Sequence, residues 1–338
     1  MRPSALKTTL KAMIQQGKNT YIEGSPGLGK TEIVKQVVKE LGSKYLTIFK
    51  HAPTLLPEDL ALPFRTEDGR LDFARAGWLP LNGDYDAHEH VVVIIDELAQ
   101  ADHSVQKTLA NLMQERESYG VPLHKRVSFV ATGNGTAHRA GANRILSHVR
   151  GRMLNLKFEA SLDDFCQWAL DNNIRPEIIA FLRFRPDQLN DFDPNRDVNP
   201  TPRTWSQGVN DLLEAIDKKL IPAEAEYEIT EGYVGEGAAV QFSSFVKMYR
   251  KLPSPEAVLL NADKHPVPTE PSVLYALAGA LAHRTTENNI DRVTTFSKRI
   301  PAEYEVLLLL DAIRKNSALQ STKSFTEWAI TRGKDVLL

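Results

Sequence analysis

A single cysteine, Cys166, leaves no possibility of a disulfide within the chain, which fits a reducing compartment. Its place in the amphipathic run Leu162, Phe165, Trp168, Ala169 predicts a small buried core residue. Long apolar runs are also missing. Apolar runs such as residues 91–95 and 306–310 fall far short of a membrane span, and the first ten residues lack an apolar h-region, so a cytoplasmic protein without membrane contact is expected. Net charge is nearly absent: 41 Lys and Arg balance 43 Asp and Glu, giving −2 and no global attraction to nucleic acid or anionic lipid. Any such contact must come from a local patch; the candidate run is Arg139, Arg144, Arg150 and Arg152, for which a subunit interface near the active site is the preferred reading. His88, His90, His103, His124, His138 and His148 match no zinc spacing and are expected to be solvated or core histidines. There is no internal repeat and no low-complexity segment.

What the chain does contain is concentrated near its start. Residues 24–31 read Gly24, Ser25, Pro26, Gly27, Leu28, Gly29, Lys30, Thr31, a complete G-x-x-x-x-G-K-[ST] loop between a short apolar strand and a helix. The glycines let successive amides point at phosphate oxygens, and the helix that follows adds its positive dipole end. Lys30 is then placed to reach the β and γ phosphates and Thr31 to hold Mg²⁺. A nucleoside triphosphate is the expected ligand.

The second chemical signal is Val92-Val93-Ile94-Ile95-Asp96-Glu97, a buried strand ending in two carboxylates. Asp96 at the strand's C-terminal end is expected beside the loop as a Mg²⁺ ligand. Glu97 is expected to orient or deprotonate the water that attacks the γ-phosphate, a task that a kinase whose acceptor brings its own nucleophile does not need. A further strand ends Phe129-Val130-Ala131-Thr132-Gly133-Asn134, which puts the polar tip Asn134 near the γ-phosphate or the lytic water.

Apolar spacing organises the rest. Strands are predicted at 19–23, 45–49, 90–95, 126–132 and 153–158, alternating with helices at 4–17, 30–41 and 104–117; residues 71–81 read as a small inserted element carrying an aromatic. This is an α/β domain with a mainly parallel sheet over residues 1–158. Beyond it the periodicity is helical. A helical domain is expected over 159–251 and a helical C-terminal extension over 252–338, with residues 222–231 read as an acidic loop and 253–271 as a proline-rich connector. Trp78 with Phe73, and Tyr119, read either as substrate contacts or as local hydrophobic anchors.

Phosphate loop, Asp-Glu strand, Asn-tipped strand and basic residues, in that order, resemble the AAA+ ATPases, and in detail their MoxR group. Supporting phrases are Leu55-Leu56-Pro57-Glu58-Asp59-Leu60, Leu112-Met113-Gln114-Glu115-Arg116 and Pro202-Arg203. Gly135 departs from the group, which usually has proline after that Asn. The resemblance implies an AAA+ P-loop sheet domain followed by an all-helical lid and a helical extension. It makes Asn134 sensor 1 and Arg203 sensor 2, and places an arginine finger at Arg152, with Arg150 as the alternate. It further implies ATP with Mg²⁺, a homo-hexameric ring, and remodelling or chaperoning of a protein partner such as a von Willebrand A-type domain protein. A nucleic-acid-directed AAA+ motor or loader is the alternative reading.

Overall fold

The computed structural model describes residues 1–135 and 145–333, which fall into two compact units. Unit 1 is Met1–Ser161 with Phe192–Asn195; unit 2 is Leu162–Asp191 with Arg196–Leu338. His138, Arg139 and Arg144 lie outside the described residues.

In unit 1 the chain runs α1 (Pro3–Gln15), β1 (Thr20–Gly24), α2 (Lys30–Leu41), β2 (Tyr45–His51), β3 (Ala61–Arg65), β4 (Leu71–Arg75), β5 (His90–Asp96) and α3 (His103–Glu115). It continues through β6 (Glu117–Ser118), β7 (Val121–Pro122), β8 (Val127–Asn134), α4 (Ser147–Arg150) and β9 (Leu154–Lys157). Five strands form one parallel sheet in the order β2-β5-β8-β1-β9. Strand side chains alternate between faces. Val91, Val93 and Ile95 therefore join Leu109, Leu112 and Met113 of α3 on one side, while Val92 and Ile94 join Leu10 and Ile14 of α1 and Val34 and Val37 of α2 on the other. Burial on both faces is why β5 is apolar without a break.

The inserted element after β2 is an antiparallel hairpin, β3 with β4, and a second small hairpin pairs β6 with β7. Phe73 of the first stacks on Tyr119 of the second, ring centroids 4.1 Å apart, and Trp78 donates its indole N–H to Asp59 O.

Unit 2 is helical: α5 (Leu162–Asp171), α6 (Pro176–Phe184), α7 (Asn210–Asp217), α8 (Glu226–Val234), α9 (Glu236–Tyr249), α10 (Pro255–Leu260), α11 (Pro271–Arg284), α12 (Ile290–Ser297), α13 (Ala302–Lys315) and α14 (Lys323–Thr331). One turn of π-helix, Thr204–Val209, leads into α7. The expected boundary between 251 and 252 falls inside this unit. Helix α11 packs on both α6 and α13, and a buried bidentate pair, Arg183 of α6 with Asp311 of α13, ties the stretches on either side of that boundary together. Cys166 is buried beside Arg183, and burial pushes its thiol up to about 11, as suits a core residue.

Candidate nucleotide-binding and hydrolysis site

The loop that leaves β1 is held by shape before any ligand is considered. A Cβ on Gly24 would stand 2.8 Å from Phe158 O, so only glycine lets β1 pass there. Gly29 caps α2 at φ 83°, a left-handed conformation that other residues seldom adopt. Leu28 is buried among the side chains of α2 and β9, which anchors the loop's tip. Lys30, 9% exposed, turns back over the loop: Nζ donates to Gly24 O at 3.0 Å, Ser25 O at 2.9 Å and Asn134 Oδ1 at 3.1 Å.

Asn134 arrives there because β8 lies next to β1, with Gly24 opposite Asn134 in the register. Asp96 ends β5, on the other side of β8. Its Oδ1 accepts from Thr31 Oγ1 at 2.5 Å and from Thr132 Oγ1 at 2.6 Å. The structure thus gathers Lys30, Thr31, Asp96 and Asn134 at the C-terminal ends of neighbouring parallel strands, where open α/β sheets bind ligands.

Glu97 lies one residue past β5 at φ 55°, ψ 42°. Its N–H donates to Thr132 Oγ1 at 3.2 Å, and its Oε2 stands 3.9 Å from His51 Nε2. His51 Nδ1 is also 3.8 Å from Asp96 Oδ2. Neither His51 nor Thr132 is singled out by the sequence. His51 reaches the site because β2 pairs with β5 and sets His51 opposite Asp96, a pairing with no local signature.

The arginines fall elsewhere. Arg150 Nη2 donates to Glu23 Oε2 at 2.9 Å, and its guanidinium lies 5.4 Å from the centre of the Tyr21 ring. Burial, with Glu23 nearby, pushes the Tyr21 hydroxyl up to about 12. Arg152 donates to His148 O and Gln114 Oε1. It lines a groove of about 560 Å³ with Lys18, Asn19, Met113, Arg116 and Leu154. That groove is at the N-terminal end of β1, about 13 Å along the strand from the loop at a rise of about 3.3 Å per residue. Arg203, exposed, directly precedes the π-helical turn of unit 2.

His90 is buried, stacked on Tyr45 at 5.2 Å, and shares a 3.1 Å hydrogen bond with Ser128 Oγ. Among the described residues no group of three or more His, Cys, Asp or Glu side chains is placed to hold a metal ion by itself.

This geometry has a counterpart among known families. Residues 19–153 match the AAA domain of the dynein-related subfamily. Unit 1 is an AAA domain of this type. The AAA domain brings with it the nucleotide-binding ATPase fold that the sheet order and phosphate loop display. Solved structures are similar at low identity. A variant of RuvB from Thermotoga maritima matches at 16% identity and TM-score 0.42, over 82% of this chain and 80% of its own. A putative ATPase from Cytophaga hutchinsonii matches at 16% and 0.35, over 92% and 79%. NtrX from Brucella abortus in complex with ADP matches at 14% and 0.39, over 99% and 68%. No curated protein matches the sequence. No helix among the described residues is long and apolar enough to cross a membrane.

Proposed function

We propose that this protein is a MoxR-like AAA+ ATPase that hydrolyses ATP with Mg²⁺, assembles as a homo-hexameric ring and remodels a protein partner. The observation that carries the reading is the convergence of Lys30, Thr31, Asp96 and Asn134 around the glycine loop. The donor set suits Mg²⁺: a hydroxyl and a carboxylate, both hard oxygen ligands, meet at Thr31 and Asp96. Thr31 and Asp96 would hold the ion, which when bound would supply positive charge to the triphosphate. The loop amides and Lys30 bind and orient the triphosphate. Glu97 accepts the proton of the attacking water, and Asn134, bonded to Lys30 Nζ, orients that water or the γ-phosphate.

Arg152 is the finger in this reading, reaching a neighbouring subunit's nucleotide. Its place at the far end of β1 supports action in trans; both arginines have partners in their own subunit, Arg152 the neutral oxygens of His148 and Gln114 and Arg150 the Glu23 carboxylate, so among the described residues Arg152 has no ion pair to break. Arg203 serves as sensor 2 of the helical lid, residues 159–251, which packs with the extension 252–338 in one compact unit. A von Willebrand A-type domain protein is the candidate client, in a cytoplasmic setting; the balanced charge favours a protein over nucleic acid.

The test is Glu97→Gln, measured for both ATP binding and steady-state turnover. Binding is expected to persist while turnover falls by about 10² or more. Unchanged turnover overturns the hydrolytic assignment.

A further inference from the structure

Consecutive residues of a β-strand point to opposite faces of the sheet. Asp96 and Glu97 are consecutive, yet both carboxylates stand within 4 Å of the same imidazole, that of His51. The alternation is broken by the left-handed backbone of Glu97. That conformation costs a non-glycine residue about 1–2 kcal/mol, so something must hold it. The 3₁₀ turn Leu98–Gln100 takes up the Glu97 carbonyl, with Gln100 N donating to it at 2.8 Å. The Glu97 N–H is taken up by Thr132 Oγ1.

Thr132 is fully buried in β8, and its hydroxyl is used in both directions. It accepts from Glu97 N and donates to Asp96 Oδ1. An ionised carboxylate only accepts, so the direction of the hydroxyl proton is fixed and the relay from Glu97 N–H through Oγ1 to Asp96 has one polarity. One hydroxyl thereby sets both the rotamer of the Mg²⁺-binding carboxylate and the backbone that aims the water-activating one.

We infer that Thr132 is a positioning residue for hydrolysis, aligning Asp96 and Glu97 together while making no contact with nucleotide itself. This rests on the hydrolytic reading of the site. Valine at the same position keeps volume and β-branching and removes only the hydroxyl; serine keeps the hydroxyl and removes a methyl. Losing hydrogen bonds to a carboxylate and to a strained backbone N–H affects the geometry of water attack more than the phosphate grip, which is made by Lys30 and the loop.

The experiment compares kcat and the dissociation constant for a fluorescent ATP analogue in the full-length wild type, Thr132→Val, Thr132→Ser and Glu97→Gln. The expected result is a fall in kcat of about tenfold or more in Thr132→Val, a dissociation constant within about threefold of wild type, and recovery of most of the loss in Thr132→Ser. Should Thr132→Val fail to fold, Thr132→Cys, similar in volume to Ser but a much weaker hydrogen-bonding group, takes its place under the same criteria. Turnover retained in the Val or Cys variant while Glu97→Gln is inactive overturns the role of Thr132 and leaves the ATPase reading standing. Equal loss in the Val and Ser variants also overturns it, because the hydroxyl is then not what matters. Turnover retained in Glu97→Gln removes the foundation itself.

Discussion

Lys30, Thr31, Asp96 and Asn134 are each readable from their neighbours along the chain, because a phosphate loop or a strand end is a local pattern. His51 and Thr132 are not. Each is one polar residue in a strand, and each acquires its role from the carboxylates of β5 across a strand pairing. His90 shows the same limit for a residue with a structural role. Ser128 Oγ donates to Ile14 O, so the bond it shares with His90 Nε2 requires the ring proton there, and the neutral imidazole ties α1 to the sheet through Ser128. Burial, with Arg126 and His124 nearby, lowers the His90 pKa to about 4 from 6.5. Between those values the unfolded chain binds the proton and the folded one does not, so stability should fall as pH drops from about 6.5 toward about 4. Thermal melts of wild type and His90→Phe across that range test it: the variant's melting temperature should lose this part of its pH dependence.

Elements were legible where burial is simple. The unbroken apolar run of β5 predicted a parallel strand covered on both faces, and α3 and α2 show clear helical spacing. Residues 222–231 read as an acidic loop, yet Glu226–Val234 is helix α8. Only Thr230 and Val234 of that helix are buried, so its apolar period is faint, and tertiary contacts hold it, including the ion pair of Glu226 with Arg250, the residue that ends α9. The pairing of α6 with α13 was equally silent, since nothing near Arg183 announces Asp311. Both side chains are almost fully buried. Removing one partner leaves an uncompensated buried charge, so Asp311→Ala should destabilise unit 2 by about 3–5 kcal/mol, whereas replacing both residues with apolar ones should cost much less. Urea unfolding of the single and double variants measures the difference.

At the scale of the molecule, the proposal that Arg152 is a finger acting in trans carries with it an active site shared between subunits. Arg152→Ala subunits have an intact loop and Lys30→Ala subunits an intact finger; mixing the two inactive proteins should restore part of the ATPase activity, because some interfaces then pair a good loop with a good finger. No recovery at any ratio, or a monomeric mass at micromolar concentration with a nonhydrolysable ATP analogue, argues against a ring with Arg152 in trans. The sequence by itself determined the phosphate loop, the strand ending in two carboxylates and the switch from α/β to helix, because each is written in contiguous residues or a regular period. Tertiary structure alone decided that Thr132 and His51 meet the carboxylates, that Arg150 turns inward to Glu23, and that residues on both sides of 251 form one unit. Those outcomes depend on which strands and helices become neighbours, and that is settled by packing over the whole chain.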